Sequence, residues 1–360
     1  MNKKVASLVI IIILAASIIY VTTYISRPNE KTTLKILCAD SLLYPLEKVK
    51  QAFEAVNLNV SINLEGHGSI QVIRQVTELG ALADVLMVAD YSLIPIMMYN
   101  VAVPGTNRNY SDYYIRFANN SIVLAYTNQS KYTSQINSTN WYSILMRQDV
   151  TFGFPNPMID SLGYRTLVTI QLAETFYRDN NIFHELVTDN FDPPFDSVAD
   201  GSSFSIFVPE VQVPKVDRVV LRSSSVALIP LLQTGSIDYC FLYLSNAKQY
   251  GLNYVSLPDQ INLGDPTFDE SYQKVTVKFE QQRFSTVNMD RQGETVYYGL
   301  TIPANSPHQD LAIEFVRFII SQEGRNVFQS CWQPVLQPSF TDNPSAVPSE
   351  LGSIVVREPF

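Results

Sequence analysis

The chain has 360 residues, a net charge of −9 and an apolar content of 46%, with 20 Tyr and 19 Phe. That composition argues for a packed globular protein, and the length for two lobes or domains instead of one core. The acidic balance argues against a nucleic-acid surface, which needs basic clusters to displace counterions. Cys38, Cys240 and Cys331 stand far apart with no CxxC pair, which argues against a disulfide framework or a thiolate zinc site.

At the N-terminus, Asn2-Lys3-Lys4 precedes Val5–Ile25, an uncharged and mostly aliphatic run. Its length suits a secretory signal or a single membrane span. Residues 1–26 are therefore read as a signal peptide or membrane anchor, with the anchor favoured because the run is longer than a usual signal core. The lysines would stay in the cytoplasm, placing everything after Arg27 outside. Triplets of the N-x-S/T type at Asn59, Asn109, Asn119, Asn128 and Asn137 are consistent with an exported surface.

After a polar linker (27–33), Leu34–Cys38 reads as a first strand. Ser41 is placed to cap a helix carrying Leu46, Val49, Phe53 and Val56. Val60–Leu64 is a second strand. The stretch EGHGSIQVIRQVTELGALADVLMVADY (65–91) follows, with Ser69 as helix cap and Ile70, Val72, Ile73, Val76 and Leu79 at helical spacing. Gly80 suits the helix stop, and Val85–Val88 is a buried-type strand. Strand–helix–strand–helix–strand describes a parallel α/β lobe. Ligands of such sheets sit at the carboxyl ends of strands, where Ser41, Ser69 and Asp90 fall.

Residues 100–114 read as a loop, Ser121–Tyr126 as a strand and Trp141–Leu145 as a short amphipathic segment. Val150–Phe154 is a strand that Pro155 and Pro157 break, and a long helix follows Gly163. Residues 189–217 are expected to be irregular or an exposed hairpin. Arg218–Leu221 is a strand leading through Ser223–Ser225 into a helix that ends at Gly235. Ile237–Leu244 is a strand, and 257–294 a polar surface hairpin. Val296–Ile302 is a strand, Gln309–Ser321 a helix, and 337–360 a poorly anchored tail.

Catalytic signatures are lacking: there is no G-x-S-x-G elbow, H-E-x-x-H, Walker or dinucleotide fingerprint. His67 beside a glycine loop is a weak case for general acid–base work. What recurs is serine at helix starts: Ser41, Ser69, the Asp160–Gly163 junction and Ser223–Ser225. A helix N-terminus holds small anions with its free N–H groups. A hydrogen bond to a charged group contributes roughly 1.5–3 kcal/mol, so five or six donors could offset an oxyanion's lost hydration without Lys or Arg.

The chain resembles the archaeal tungstate/molybdate-binding proteins, the solute receptors of oxyanion ABC importers. The resemblance is carried by LEGHGSIQVIRQVTELGALADVLMVADY, SIVLAYTNQSKY, INSTNWYSIL, FGFPNPMIDSLGYRTLVTIQLAE, SIDYCFLYLSNAKQYGLNYVSLP and VYYGLTIPANSPHQDLAIEFVRFIIS. It implies a two-lobed α/β fold of the type II periplasmic-binding-protein kind, with the ligand in the interlobe cleft. Lobe one would comprise 34–121 and 297–336, and lobe two 122–296. The oxyanion-binding residues implied are Ser41, Ser69, Asp160 and Tyr243, with Asp160 a candidate ligand of the oxyanion's metal centre.

Two positions depart from the family pattern. Asp40 stands where the family has glycine, and Ser225 where it has a glutamate that brings carboxylate oxygen to the metal. Since a serine donates to an oxyanion oxygen, Ser225 is expected as a donor to a more nearly tetrahedral ion. The resemblance further implies an ABC importer permease as partner, an extracytoplasmic monomer and no cofactor or enzyme activity. The alternatives are a receptor for another oxyanion such as sulfate, or a sensory ectodomain without the metal coordination.

Overall fold

In a computed structural model of the protein, residues 31–280 and 290–359 are described. The expected signal or anchor (1–26) and most of the linker lie outside them. Among the described residues, no helix is long and apolar enough to cross a membrane.

Strands Thr32–Ala39, Val60–His67 and Val85–Val88 pair in parallel, with the first in the middle. Leu34, Ile36, Leu37 and Val85–Val88 are fully buried, as central strands covered by helices on their faces must be. This sheet has seven strands in the order Val355–Arg357, Val335–Thr341, Ile115–Asn119, Tyr297–Thr301, Val85–Val88, Thr32–Ala39, Val60–His67. A second sheet of five runs Val219–Arg222, Phe152–Pro155, Tyr239–Tyr243, Ile122–Tyr126, Asn253–Ser256. The chain leaves the first sheet at Asn119 and enters the second at Ile122, and returns before Tyr297. The two crossings lie side by side, because Asn120 N–H donates to the Val296 carbonyl at 3.2 Å.

Several expectations are corrected. Ser41 caps no helix: it lies within a 3-10 turn, Asp40–Leu42, and the following helix, Leu43–Val56, has Leu42 at its N-cap. The helix Ser69–Thr77 has Gly68 as N-cap, because the Ser69 oxygen takes a different hydrogen bond. It stops short of Leu79, which is 78% exposed. The helix Ser161–Tyr177 starts before Gly163, and Ser161 to Glu174 are buried without interruption. One cause is a four-stranded sheet, in the order Arg291–Gln292, Val275–Phe279, Ser203–Val208, Asp196–Asp200. Its Ile206, Val208, Val275 and Val277 share one core with Leu167 and Val168 of the helix.

Residues 189–217 thus contain a hairpin that is built into this sheet. The described part of 257–294 is no free surface hairpin, since its strand Val275–Phe279 pairs in parallel with Ser203–Val208. Nor is the C-terminus a loose tail. Val335–Thr341 pairs with Ile115–Asn119, and Val355–Arg357 pairs with Val335–Thr341. Pro338 falls where the pairing of Val335–Thr341 with Ile115–Asn119 shifts register, and Pro344 and Pro348 lie in the connection to the edge strand Val355–Arg357, positions where a missing N–H is tolerated.

Candidate functional site

Four short segments meet between the lobes: the Asp40–Leu42 turn, the Gly68–Ser69 helix start, the Asp160–Ser161 helix start and the Ser224–Val226 turn. The first two follow strands of the seven-stranded sheet, the last two strands of the five-stranded one. Their approach is close enough for backbone contact, with Gln71 N–H donating to the Ile159 carbonyl at 3.3 Å across the cleft. A Cβ on Gly68 would stand 2.2 Å from that same carbonyl oxygen, so only glycine permits the approach.

Ser69 and Tyr243 are brought together by Ser161. The Ser69 hydroxyl lies 3.3 Å from that of Ser161, which lies 3.4 Å from the Tyr243 hydroxyl. The ends of this chain are fixed by N–H donors. Ala89 N–H donates to Ser69 Oγ at 3.0 Å, and Arg165 Nη1 donates to the Tyr243 hydroxyl at 3.0 Å. Each of these oxygens keeps one proton and one further lone pair, and either hydroxyl of each pair can be the donor. Distances of 3.3–3.4 Å are long for hydroxyl–hydroxyl contacts, whose usual range is about 2.7–2.8 Å. These protons are therefore poorly satisfied.

Asp160 stands at the N-cap of the Ser161 helix, where Oδ1 accepts from Leu162 N–H at 2.8 Å. Ser225 touches both neighbouring carboxylates. Its amide hydrogen-bonds to Asp160, and its hydroxyl donates to Asp40 Oδ1 at 3.3 Å. A hydroxyl has one proton, so Ser225 spends it on Asp40 here. Ser41 joins the group through Tyr298, whose hydroxyl donates to Ser41 Oγ at 3.4 Å and whose ring centroid lies 5.8 Å from that of Tyr243. Ser41, Ser69, Asp160, Ser225 and Tyr243 are all buried. His67 stays outside the site, paired at 3.2 Å with Glu65. A surface hollow of about 500 Å³ lined by Glu174, His184 and Phe204 includes none of these residues.

The model for bacterial extracellular solute-binding proteins matches residues 34–330. The chain belongs to that family. An uncharacterized solute-binding protein of Staphylothermus marinus is 37% identical over 358 residues, covering 98% of this chain and 96% of the relative. The molybdate/tungstate-binding protein WtpA of Pyrococcus abyssi is 34% identical over 367 residues, covering 99% and 98%. Among solved structures, the sulfate-binding protein SubI of Mycobacterium tuberculosis superposes with a TM-score of 0.54 at 13% identity, over 91% of this chain and 94% of that one. The periplasmic molybdate-binding protein of Azotobacter vinelandii gives 0.51 at 14% identity, over 84% and 100%. The fold is thus the two-lobed periplasmic-binding-protein fold, and the family resemblance read from the sequence holds.

In this solute-binding protein the cleft is acidic as well as rich in hydroxyls. Burial raises the Asp160 carboxyl well above the usual range, and the facing Asp40 charge adds to it against the Leu162 and Ser225 N–H groups. Burial raises Asp40 too, opposed by bonds from Ser224, Val226, Ser225 and Ser41. Behind the hydroxyls, Arg165 is buried, and its Nη2 lies 3.4 Å from Asp90 Oδ2. Burial opposes the guanidinium charge, but Asp90, Tyr243 and Tyr164 more than offset it and keep the group cationic. Tyr164 donates to the same Asp90 oxygen.

Sequence reasoning missed Ser161 and Arg165 as site residues. Arg165 had a signal: a lone cation in the first turns of an otherwise apolar helix needs a buried partner. Ser161 lay in the Asp160–Gly163 junction noted as a serine helix start, but its link to Ser69 and Tyr243, which are distant in sequence, had no local signal.

Proposed function

We propose that this protein captures tungstate or molybdate in its interlobe cleft and delivers the ion to the permease of an ABC importer. The observation that carries the reading is the Ser69–Ser161–Tyr243 hydroxyl chain. Each end oxygen accepts one N–H group and the hydroxyl–hydroxyl contacts are long, so its protons are available to an anion. An oxyanion oxygen replacing the long hydroxyl contacts would take charge-assisted bonds, shorter and about twice as strong as neutral ones. The Ser69 and Ser161 helix starts add the positive ends of two dipoles. The relative from Pyrococcus abyssi supports tungstate and molybdate as the ligands.

Lobe closure over the ion would present the docking surface to the permease. The apolar run Val5–Ile25 would hold the receptor at the outer face of the membrane as a monomer. Asp160 is the residue that would reach the metal centre, and Ser41 supports the cleft wall through Tyr298. Titration calorimetry of residues 31–360 with tungstate, molybdate and sulfate tests the reading. Saturable binding of tungstate or molybdate supports it, and binding of sulfate alone, or of none, overturns it.

A further inference from the structure

We propose that Asp40 determines specificity in this cleft: it places a second carboxylate opposite Asp160 and admits oxyanions whose central atom can accept carboxylate oxygen. The inference rests on the oxyanion reading above and narrows its ligand class.

Asp40 follows the first strand of lobe one, yet its hydrogen-bond donors come largely from lobe two. Ser225 Oγ donates to Oδ1 at 3.3 Å and Val226 N–H donates to Oδ2 at 3.1 Å. The same Ser225 offers its amide to Asp160, so one residue holds both carboxylates at the same place. Both are buried, and among the described residues neither has a Lys, Arg or His at ion-pair distance. Two carboxylates without a counter-ion each make burial of the other harder, a cost that their N–H and hydroxyl donors offset only in part. They also make a poor wall for a plain tetrahedral dianion. Sulfate has no proton to give them at neutral pH and its sulfur accepts no further oxygen, so from these two carboxylates it meets repulsion, which works against the hydroxyl donors.

A hexavalent molybdenum or tungsten centre is different, since it can expand from four oxygens to six. One oxygen each from Asp40 and Asp160 then forms a dative bond to the metal. No bond breaks, no electron is transferred, and any carboxyl proton leaves to solvent. The hydroxyls of Ser69, Ser161 and Tyr243 donate to the oxo groups. The carboxylate missing at position 225 is in this way provided from the opposite lobe. The tetrahedral geometry expected from Ser225 alone is replaced by a six-coordinate one.

The test is calorimetry of tungstate and sulfate with the wild-type protein, Asp40→Asn, Asp40→Ser and Ser225→Ala, with metal-edge absorption on the tungstate complexes. The wild-type complex is expected to show a six-coordinate edge. Asp40→Asn and Asp40→Ser should each lose at least about tenfold in the tungstate-to-sulfate ratio and shift the edge towards tetrahedral. Ser225→Ala should weaken binding while leaving the six-coordinate edge in place. A ratio unmoved in both Asp40 variants, or a tetrahedral wild-type edge, overturns the inference while the oxyanion reading stands. If the wild-type protein binds neither ion, the oxyanion reading itself fails.

Discussion

Ser69 and Tyr243 show how a hydroxyl becomes a directed donor. Each has an oxygen that accepts from a fixed N–H, of Ala89 and of Arg165 respectively, and a proton left over for the cleft. Ser69→Ala and Tyr243→Phe should each weaken tungstate binding by about 10- to 100-fold, the worth of one hydrogen bond to a charged group. Calorimetry measures this. Each change also leaves a buried donor, Ala89 N–H or Arg165 Nη1, without its acceptor, so the melting temperature without ligand should fall as well. Arg165→Met should cost more stability. It strands Asp90 in a buried site, where breaking a pair costs about 3–5 kcal/mol, and urea unfolding should register the loss. At this scale the sequence was partly legible. Ser69 could be picked out by its flanking glycines, but its job as an acceptor for Ala89 could not, because the donor lies twenty residues away, just past the strand Val85–Val88. Ser225 was legible as a departure, whereas its engagement by Asp40 depends on lobe closure.

The elements that build the cleft are helix starts joined to strand ends. Their existence follows from local pattern: Ile70, Val72, Ile73 and Val76 are all fully buried at the helical spacing the sequence shows. Their boundaries do not follow as well, since Gly68 and Asp160 took the N-cap positions one residue or more before those expected. The four-stranded sheet over the Ser161 helix was the least legible element. Its parallel pairing joins Ser203–Val208 to Val275–Phe279, strands some seventy residues apart, and no local periodicity encodes such a partner. Closure gives this scale its own prediction. Gly68→Ala places a methyl against the Ile159 carbonyl, so the tungstate-induced rise in melting temperature should largely vanish. The melting temperature of the ligand-free variant should stay near that of the wild type, which thermal denaturation with and without tungstate will show.

Across the whole molecule, the return crossing carries a half-buried acid. Glu294 accepts from the Tyr91 hydroxyl at 3.1 Å. Burial first, and then the Asp90 charge, push its carboxyl up to about 8, against the pull of Arg165. The unfolded chain releases that proton near the ordinary value of about 4.3, so between there and about 8 the folded state binds more protons. Stability is therefore greatest below the unfolded value and falls as pH rises through this window. Glu294→Gln should flatten part of the decline, on the order of a few kcal/mol at most. Asp40 and Asp160 shift in the same direction and leave a residual slope. Urea unfolding of both proteins from pH 4.5 to 8 checks the sign; a wild-type stability that rises across the window would contradict it. The two-lobed architecture was legible at this scale through the family resemblance, but the C-terminal strands were not, because their prolines read as a tail, whereas they fall at a register shift and in the connection between the strands.

The central claim is that the ion sits between the lobes on the Ser69–Ser161–Tyr243 hydroxyls. A crystal of residues 31–360 grown with tungstate, measured above the tungsten edge, tests it most directly. One strong anomalous peak within hydrogen-bonding reach of Ser69 and Tyr243 is the predicted result. A peak confined to the protein surface, or none in the cleft at saturating tungstate, would contradict the account.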